Sequence, residues 1–270
     1  MIIENLYPYA GDHAVQTAIF LVEWSEPLQA DAILEAHKLA AKFRHAGLAE
    51  VRQQNAVALK IDAAHGGEAQ VESAAGAGAI VFSKAGGFGE LARSVTLSRN
   101  NCMIVVPDYS RWEQVFSDVR QYLHIVLDEI APIRPLLAIG LQYVDIFSWK
   151  DDPAELDLAQ VFAADAYIPP NVFQQKGLWH LHHGYMEAHG EPLAHTRLEN
   201  VNVDLFDTGG QRTIQITGSH RATLAAPLWQ AHLKHEGEML AMFGALHQAN
   251  KRMLAKLLTP AICDRIKLTV

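Results

Sequence analysis

The alternation of apolar and polar positions predicts two runs of elements in the same order along the chain. Each run begins with an apolar strand, continues with a helix and further strands, and closes with a long helix. The first strand is predicted over 13–24, where apolar residues occupy both faces, as is typical of a central strand. The equivalent strand of the second run is predicted over 136–147.

Helical spacing and strand alternation place the remaining elements. Helices are predicted over 29–44, 110–130, 151–163 and 228–258, and strands over 51–61, 79–82, 94–98, 103–106, 177–188, 195–207 and 211–222. The small residues of 63–78 are predicted to form a surface loop.

Two prolines, Pro132 and Pro135, break the chain between the runs, so we expect a first α+β half at 1–132 and a second at 133–270. The fold class is therefore α+β, with a mixed or antiparallel sheet and the long helices packed on one face. Two such halves can join edge to edge into one saddle-like sheet, as in TATA-binding-protein-like folds. This is an analogy of fold and implies no binding of DNA.

Composition narrows the classes of partner. A net charge of −8 disfavours nucleic acid and anionic membranes, because both require a basic surface. No secretory signal and no apolar stretch of about 18 residues is present, so no membrane association is expected. Only Cys102 and Cys263 occur, outside any paired motif, which favours a cytoplasmic protein without disulfides.

The glycine-rich segments do not match a cofactor motif. The first lacks the Gly-Lys-Ser/Thr ending of a phosphate loop, and Gly86-Gly87-Phe88-Gly89 lacks the helix and ribose-binding acid of a dinucleotide site. No cofactor is therefore expected, and the sequence leaves open whether the chain is an enzyme.

Four short motifs carry a family resemblance that covers nearly the whole chain. They are Tyr109-x-x-Trp112-x-x-x-Phe116, the run from Ile139 to Ile146 (IGLQYVDI), His247-x-x-Asn250 and Leu254-x-x-Leu257-Leu258-Thr259. The chain resembles a sporadically distributed bacterial family of uncharacterised proteins of about 260 residues. The resemblance implies an arginine and an asparagine where this chain has Gln142 and Asp145, so a role of that arginine would not transfer. It implies no established activity.

Histidines supply the clearest chemical pattern. Five of the 14 lie within 16 residues, and on a strand His180 and His182 would share one face. A third metal ligand could come from His195, from His220, or from His232 and His235 in the closing helix, which would give a divalent metal site. The alternative is that these histidines are ordinary residues of a half-exposed strand, since no His-Glu-x-x-His motif fixes their spacing.

Two polar residues, His247 and Asn250, fall on the apolar stripe of the closing helix. A buried polar group without a partner costs about 1–3 kcal/mol, so both are expected to have one. They form either structural hydrogen bonds or the lining of a cleft.

Three functions follow from these patterns. The preferred prediction is a non-catalytic binding or interaction protein with a protein partner, as a subunit of a larger assembly or a homo-oligomer. The alternatives are a metal-dependent hydrolase using the histidine cluster, and a small-ligand carrier with a pocket between the sheet and the closing helix.

Overall fold

The computed structural model describes the chain except for short gaps. The described residues are 2–61, 69–84, 93–130, 132–164, 167–229 and 237–270.

A ten-stranded antiparallel sheet dominates the described residues. The strands are β1 (Leu6–Pro8), β2 (Val15–Trp24), β3 (Glu50–Ile61), β4 (Ala69–Ser83), β5 (Ser94–Ser98), β6 (Asn101–Val106), β7 (Leu136–Trp149), β8 (Trp179–His189), β9 (His195–Thr208) and β10 (Gln211–Leu228). Their order is β3-β4-β5-β6-β2-β7-β10-β9-β8, and β1 pairs with the end of β7 beside β2.

The helices are short except for two. They are α1 (Ala30–Glu35), α2 (Ala40–His45), α3 (Trp112–Ile130), α4 (Leu158–Val161), α5 (Gly237–Leu257) and α6 (Pro260–Arg265), with 3-10 turns at Ile2–Asn5, Ala36–Leu39, Pro153–Glu155 and Pro170–Gln174. No helix among the described residues is long and apolar enough to cross a membrane.

The prediction of a mixed α and β chain with an antiparallel sheet is confirmed. The predicted loop is corrected in part, because residues 69–78 belong to strand β4, which pairs with β3. Small residues carry little strand propensity, but cross-strand pairing can override that weak preference. The rest of that segment, Gly86–Gly89 and the first turns of the predicted closing helix lie outside the described residues.

Strand β7 joins the two sides of the sheet, and its side chains alternate between two faces. It pairs with β2 on one side and with β10 on the other, and the boundary expected near residue 132 falls between α3 and β7. The odd-numbered residues from Ile139 to Trp149 are all buried. Phe20 of β2 packs against Phe116 of α3 and Phe243 of α5, so both long helices cover this side of β2.

Two apolar clusters form the core. One lies under β2, β4–β6 and the N-terminal part of β7, and it includes Leu141 and Tyr143. The other lies around the C-terminal part of β7, α4 and α6, and it includes Phe147 and Trp149. The residue between these two stretches on the buried face of β7 is Asp145. A carboxyl group thus lies on β7 between the two apolar clusters.

Candidate functional site

The histidine cluster predicted from the sequence lies on β8 at the edge of the sheet. Cross-strand pairing places His180 opposite Asp204 and His182 opposite Asn202, so these side chains share one face. Nδ1 of His180 lies 2.5 Å from Oδ1 of Asp204. The observed partner of His180 is therefore a carboxylate of the neighbouring strand.

His195 lies on the other face of the sheet. It pairs with His189 on β8, and the two rings stack with centroids 5.1 Å apart. Because side chains alternate between the faces along a strand, His189 lies on the face opposite to His180, and so does His195. Nδ1 of His195 donates to the carbonyl oxygen of Leu193 over 2.7 Å. The structure thus does not bring His195 together with His180 and His182.

His220, another candidate ligand, contacts Glu199 and Asn250 instead, and His232 and His235 lie outside the described residues. Within the part of the chain that the structure describes, no three His, Cys, Asp or Glu side chains gather closely enough to hold a metal ion. The described residues therefore offer at most two ligands at the predicted site, whereas a catalytic zinc needs three.

The two polar residues of the closing helix lie at a cavity elsewhere in the molecule. Nδ1 of His247 lies 2.9 Å from the Tyr143 hydroxyl, and Oδ1 of Asn250 lies 3.1 Å from Nε2 of His220. Both side chains have partners on the sheet, and both also line the cavity.

This cavity has a volume of about 180 Å³, opens to solvent, and is bounded by β2, the start of α3, β7, α5 and the C-terminal segment. Its lining residues are His13, Ala14, Val15, Tyr109, Ser110, Arg111, Trp112, Glu113, Tyr143, Asp145, His247, Asn250, Lys251, Leu254, Ile266, Lys267, Leu268 and Thr269. An engineered apolar cavity of about 150 Å³ holds benzene, so this space suits a ligand about the size of one ring.

Asp145 is the most unusual group of the cavity. Its side chain is 2% exposed, and Oδ2 is enclosed without a hydrogen-bond donor among the described residues. A register shift between Val15 and Thr17 lies opposite it in β2. Such bulges redirect side chains and are common beside functional sites. A buried acceptor without a donor is rare and requires an explanation.

Burial raises the pKa values of three acidic groups that line the cavity. It raises the pKa of Asp145 to about 7, because a carboxylate is disfavoured where water is excluded. Burial also raises the pKa of Tyr109 to about 12, and that of Tyr143 rises as well. The tyrosine hydroxyls therefore stay neutral at physiological pH, while Asp145 changes charge within that range.

Aromatic rings form one wall of the cavity. His247 stacks on Trp112 with centroids 4.1 Å apart and an interplanar angle of 3°, and Phe116 stacks on Trp112 at 4.4 Å. Burial and then the charge of Lys251 lower the pKa of His247 to about 4. His247 is therefore a neutral member of a rigid stack, held in place by its contact with Tyr143.

A buried chain of polar groups reaches the cavity from the neighbouring strands. His220 pairs directly across the sheet with Glu199, its Nδ1 contacts that carboxylate, and Glu199 also contacts Arg197. Burial favours a higher pKa for Glu199, but His220 and Arg197 outweigh it and lower the pKa. Nε2 of His220 faces Oδ1 of Asn250, which lies against Gly218. This series of polar contacts thus fixes the orientation of the Asn250 amide.

The mouth of the cavity carries mixed charge. Asp12 is shared by Arg111 and Lys267, and the hydrogen bond from Lys267 is the main cause of the lowered pKa of Asp12. Lys251 forms no ion pair with any described residue. Glu113 also lines the cavity. Lys251 is therefore a cation available to a ligand, while Glu113 is an anion that a negative group would avoid.

Part of this site could be predicted from the sequence. The motif residues Tyr109, Trp112, Tyr143, His247 and Asn250 all line the cavity, although the sequence alone did not bring them together. The missed signal is the alternation of β7, since it puts Asp145 on the same face as Tyr143 and Phe147. The sequence indicated His220 only as a further candidate metal ligand and did not indicate Glu199, because their partners depend on strand register and on α5.

No protein-family model matches the chain, and no curated protein shows significant similarity to it. The family resemblance noted from the four motifs therefore stays a prediction.

Proposed function

We propose that the chain is a binding protein whose cavity takes a small ligand with a protonated amine. The observation that carries this proposal is Asp145, an enclosed carboxyl group whose Oδ2 has no donor among the described residues. An ammonium group would supply both the missing hydrogen bond and the compensating charge, which stabilises a buried carboxylate.

The surroundings favour an organic amine over a bare metal ion. Beside Asp145 the cavity presents aromatic rings and neutral hydroxyl groups, and the described residues include no group of three His, Cys, Asp or Glu side chains that could hold a metal ion. Hard cations require several oxygen ligands, whereas an alkyl or aryl ammonium combines one charge with an apolar body. The volume of about 180 Å³ accommodates a body of about one ring.

Isothermal titration calorimetry with phenethylamine and isopentylamine tests this proposal, with phenethyl alcohol as the uncharged probe. We expect the amines to bind and the alcohol to bind at least about tenfold more weakly, because a charge-assisted hydrogen bond is worth about 1.5–3 kcal/mol. Asp145→Asn keeps the shape of the side chain and removes its charge, so it should abolish the preference. Equal binding of alcohol and amine, or an unchanged preference in Asp145→Asn, would exclude the proposal.

A protein partner remains our second candidate, and it concerns the opposite face of the sheet. There Ile19, Leu21 and Val144 are only half-buried. Arg221 crosses to this region and holds Glu23 through two hydrogen bonds of 2.7 and 2.6 Å. A broad, half-apolar face with an ordered ion pair is typical of a recognition surface. Size-exclusion chromatography with light scattering, followed by pull-down with Leu21→Arg as the control, tests this candidate.

We also propose that the chain contains two related halves with their long helices gathered on one face, and that it acts in the cytoplasm. The strand order supports the first point, since β2-β6-β5-β4 on one side parallels β7-β10-β9-β8 on the other. In the first set the central strand β2 comes first in the chain and its neighbour β6 comes last. In the second set β7 comes first and its neighbour β10 comes last. The metal-dependent hydrolase stays an alternative that requires ligands outside the described residues.

A further inference from the structure

The cavity contains a second set of polar groups, which suits an anionic group of a ligand, whereas Asp145 suits a cationic one. Helix α5 presents His247, Asn250, Lys251 and Leu254 to it, and this spacing of three and four residues forms one continuous stripe. His247 is neutral and engaged with Tyr143. Asn250 and Lys251 are therefore the groups of the stripe that can interact with a polar ligand.

The orientation of Asn250 is set from behind the cavity. Its Oδ1 lies 3.1 Å from Nε2 of His220, and the other ring nitrogen of His220 contacts Glu199. With the amide oxygen engaged, the NH₂ group is what Asn250 offers to a ligand. An amide NH₂ donates and cannot accept, so it selects an acceptor such as a carboxylate oxygen.

Lys251 supplies a positive charge beside this donor. It has no ion-pair partner among the described residues, in contrast to Arg111 and Lys267, which share Asp12. Glu113 is the opposing charge at the cavity, and it disfavours an anionic group on the α3 side. A ligand anion is thus directed towards α5, while a ligand cation is directed towards Asp145 on β7.

We propose that the ligand is a zwitterion of the amino-acid type, with its ammonium group at Asp145 and its carboxylate at Asn250 and Lys251. This inference rests on the proposed function, because it places the amine at the same carboxyl group. It adds the second charged group and therefore the class of compound. The side chain would lie against the aromatic wall of Tyr109, Tyr143 and the His247–Trp112 stack.

Matched sets of probes test the inference on the full-length protein. L-Phenylalanine is compared with phenethylamine, which lacks the carboxylate, and with hydrocinnamate, which lacks the amine. L-Leucine is compared in the same way with isopentylamine and isocaproate. We expect each amino acid to bind about tenfold or more tightly than either partial analogue, since each charged hydrogen bond adds independently to affinity.

Variants of the protein distinguish the site for the ligand's carboxylate from the site for its ammonium group. Lys251→Gln is expected to weaken the binding of the amino acids about tenfold and to leave the amines within about twofold. Lys256→Gln, on the exposed side of the same helix, is the control and should change neither. Asp145→Asn should weaken amino acids and amines alike.

The possible outcomes separate this inference from the proposed function. Amines that bind as tightly as the amino acids would overturn the zwitterion and leave the amine site standing. Hydrocinnamate or isocaproate binding while the amines do not would overturn both, and so would an absence of binding throughout the two sets. A Lys251→Gln variant that binds the amino acids normally would also overturn the zwitterion.

Discussion

The amide oxygen of Asn250 lies 3.1 Å from Nε2 of His220, and this contact joins the closing helix to the sheet at the edge of the cavity. His220 and Asn250 are 1% and 4% exposed, so their contact is shielded from bulk water. The contact therefore has a structural role and also orients a group that faces the cavity.

The first prediction concerns this pair. Asn250→Ala removes the side-chain partner of Nε2 of the buried His220, so we expect the free energy of unfolding to fall by about 1–3 kcal/mol. Gln248→Ala, on the exposed face of α5, is the control and should change it by less than about 0.5 kcal/mol. Urea unfolding measures both. Loss of stability with unchanged amino-acid binding would assign Asn250 a structural role alone.

The second prediction concerns the glycine that makes room for Asn250. A Cβ at Gly218 would overlap Oδ1 of Asn250 and Cε of Met253. Gly218→Ala is therefore expected to destabilise the protein by about 1–3 kcal/mol through overpacking. Gly244 in α5 has open space around its Cα, so Gly244→Ala should instead stabilise it by about 0.5–1 kcal/mol. Equal effects of the two substitutions in urea unfolding would contradict the packing around Gly218.

The third prediction follows from the ionisation of Asp145. Its folded pKa of about 7 lies above the ordinary value of 3.8, so the folded chain retains a proton that the unfolded chain releases. The free energy of unfolding should fall as the pH rises from about 4 to about 7 and change no further from this group at higher pH. Asp145→Asn should remove this dependence and stabilise the protein at pH 8 by on the order of 2–4 kcal/mol.

Thermal unfolding of wild type and Asp145→Asn across this pH range measures the effect. The two melting curves should coincide near pH 4 and separate as the pH rises. A variant that is less stable than wild type at pH 8 would show that the folded state stabilises the ionised carboxylate. A functional group that destabilises its own fold is common at binding sites, where activity and stability compete.

The fourth prediction concerns metal. The described residues supply only His180 and His182 at the predicted cluster, and His180 contacts Asp204. Elemental analysis of untagged protein is therefore expected to give well under one transition-metal ion per chain. About one tightly bound ion per chain, lost in a His180→Ala, His182→Ala double variant, would support the hydrolase instead and would draw His232 and His235 into the site.

The sequence predicted the elements better than it predicted the site. Strong alternation in β7, β9 and β10 and the helical stripe of α3 allowed their types and approximate bounds to be predicted. Residues 79–82 of β4 were predicted as a strand, but 69–78 were missed, because alanine and glycine have weak strand preference and their pairing with β3 is a tertiary effect. Periodicity thus identifies elements with large apolar residues and fails where pairing alone decides.

The site depended on register and on contacts distant in the chain. His247 and Asn250 were recognisable as polar residues on an apolar stripe, but their partners Tyr143 and His220 are 104 and 30 residues away. Histidine density drew attention to β8, whereas alternation places His195 on the opposite face from His180. The density of histidines therefore did not indicate the cavity at Asp145, for which a single acid in an apolar row was the more informative feature.

The most direct test of the amine site is the number of protons released when phenethylamine binds. A bound ammonium requires Asp145 to be ionised, so its pKa must fall from about 7 on binding. Calorimetry in buffers of different ionisation enthalpy should show close to one proton released per ligand at pH 6 and almost none at pH 8.5, with affinity rising about tenfold per pH unit up to about pH 7. Proton uptake, or an affinity that is independent of pH and equal in Asp145→Asn, would contradict an amine site at Asp145.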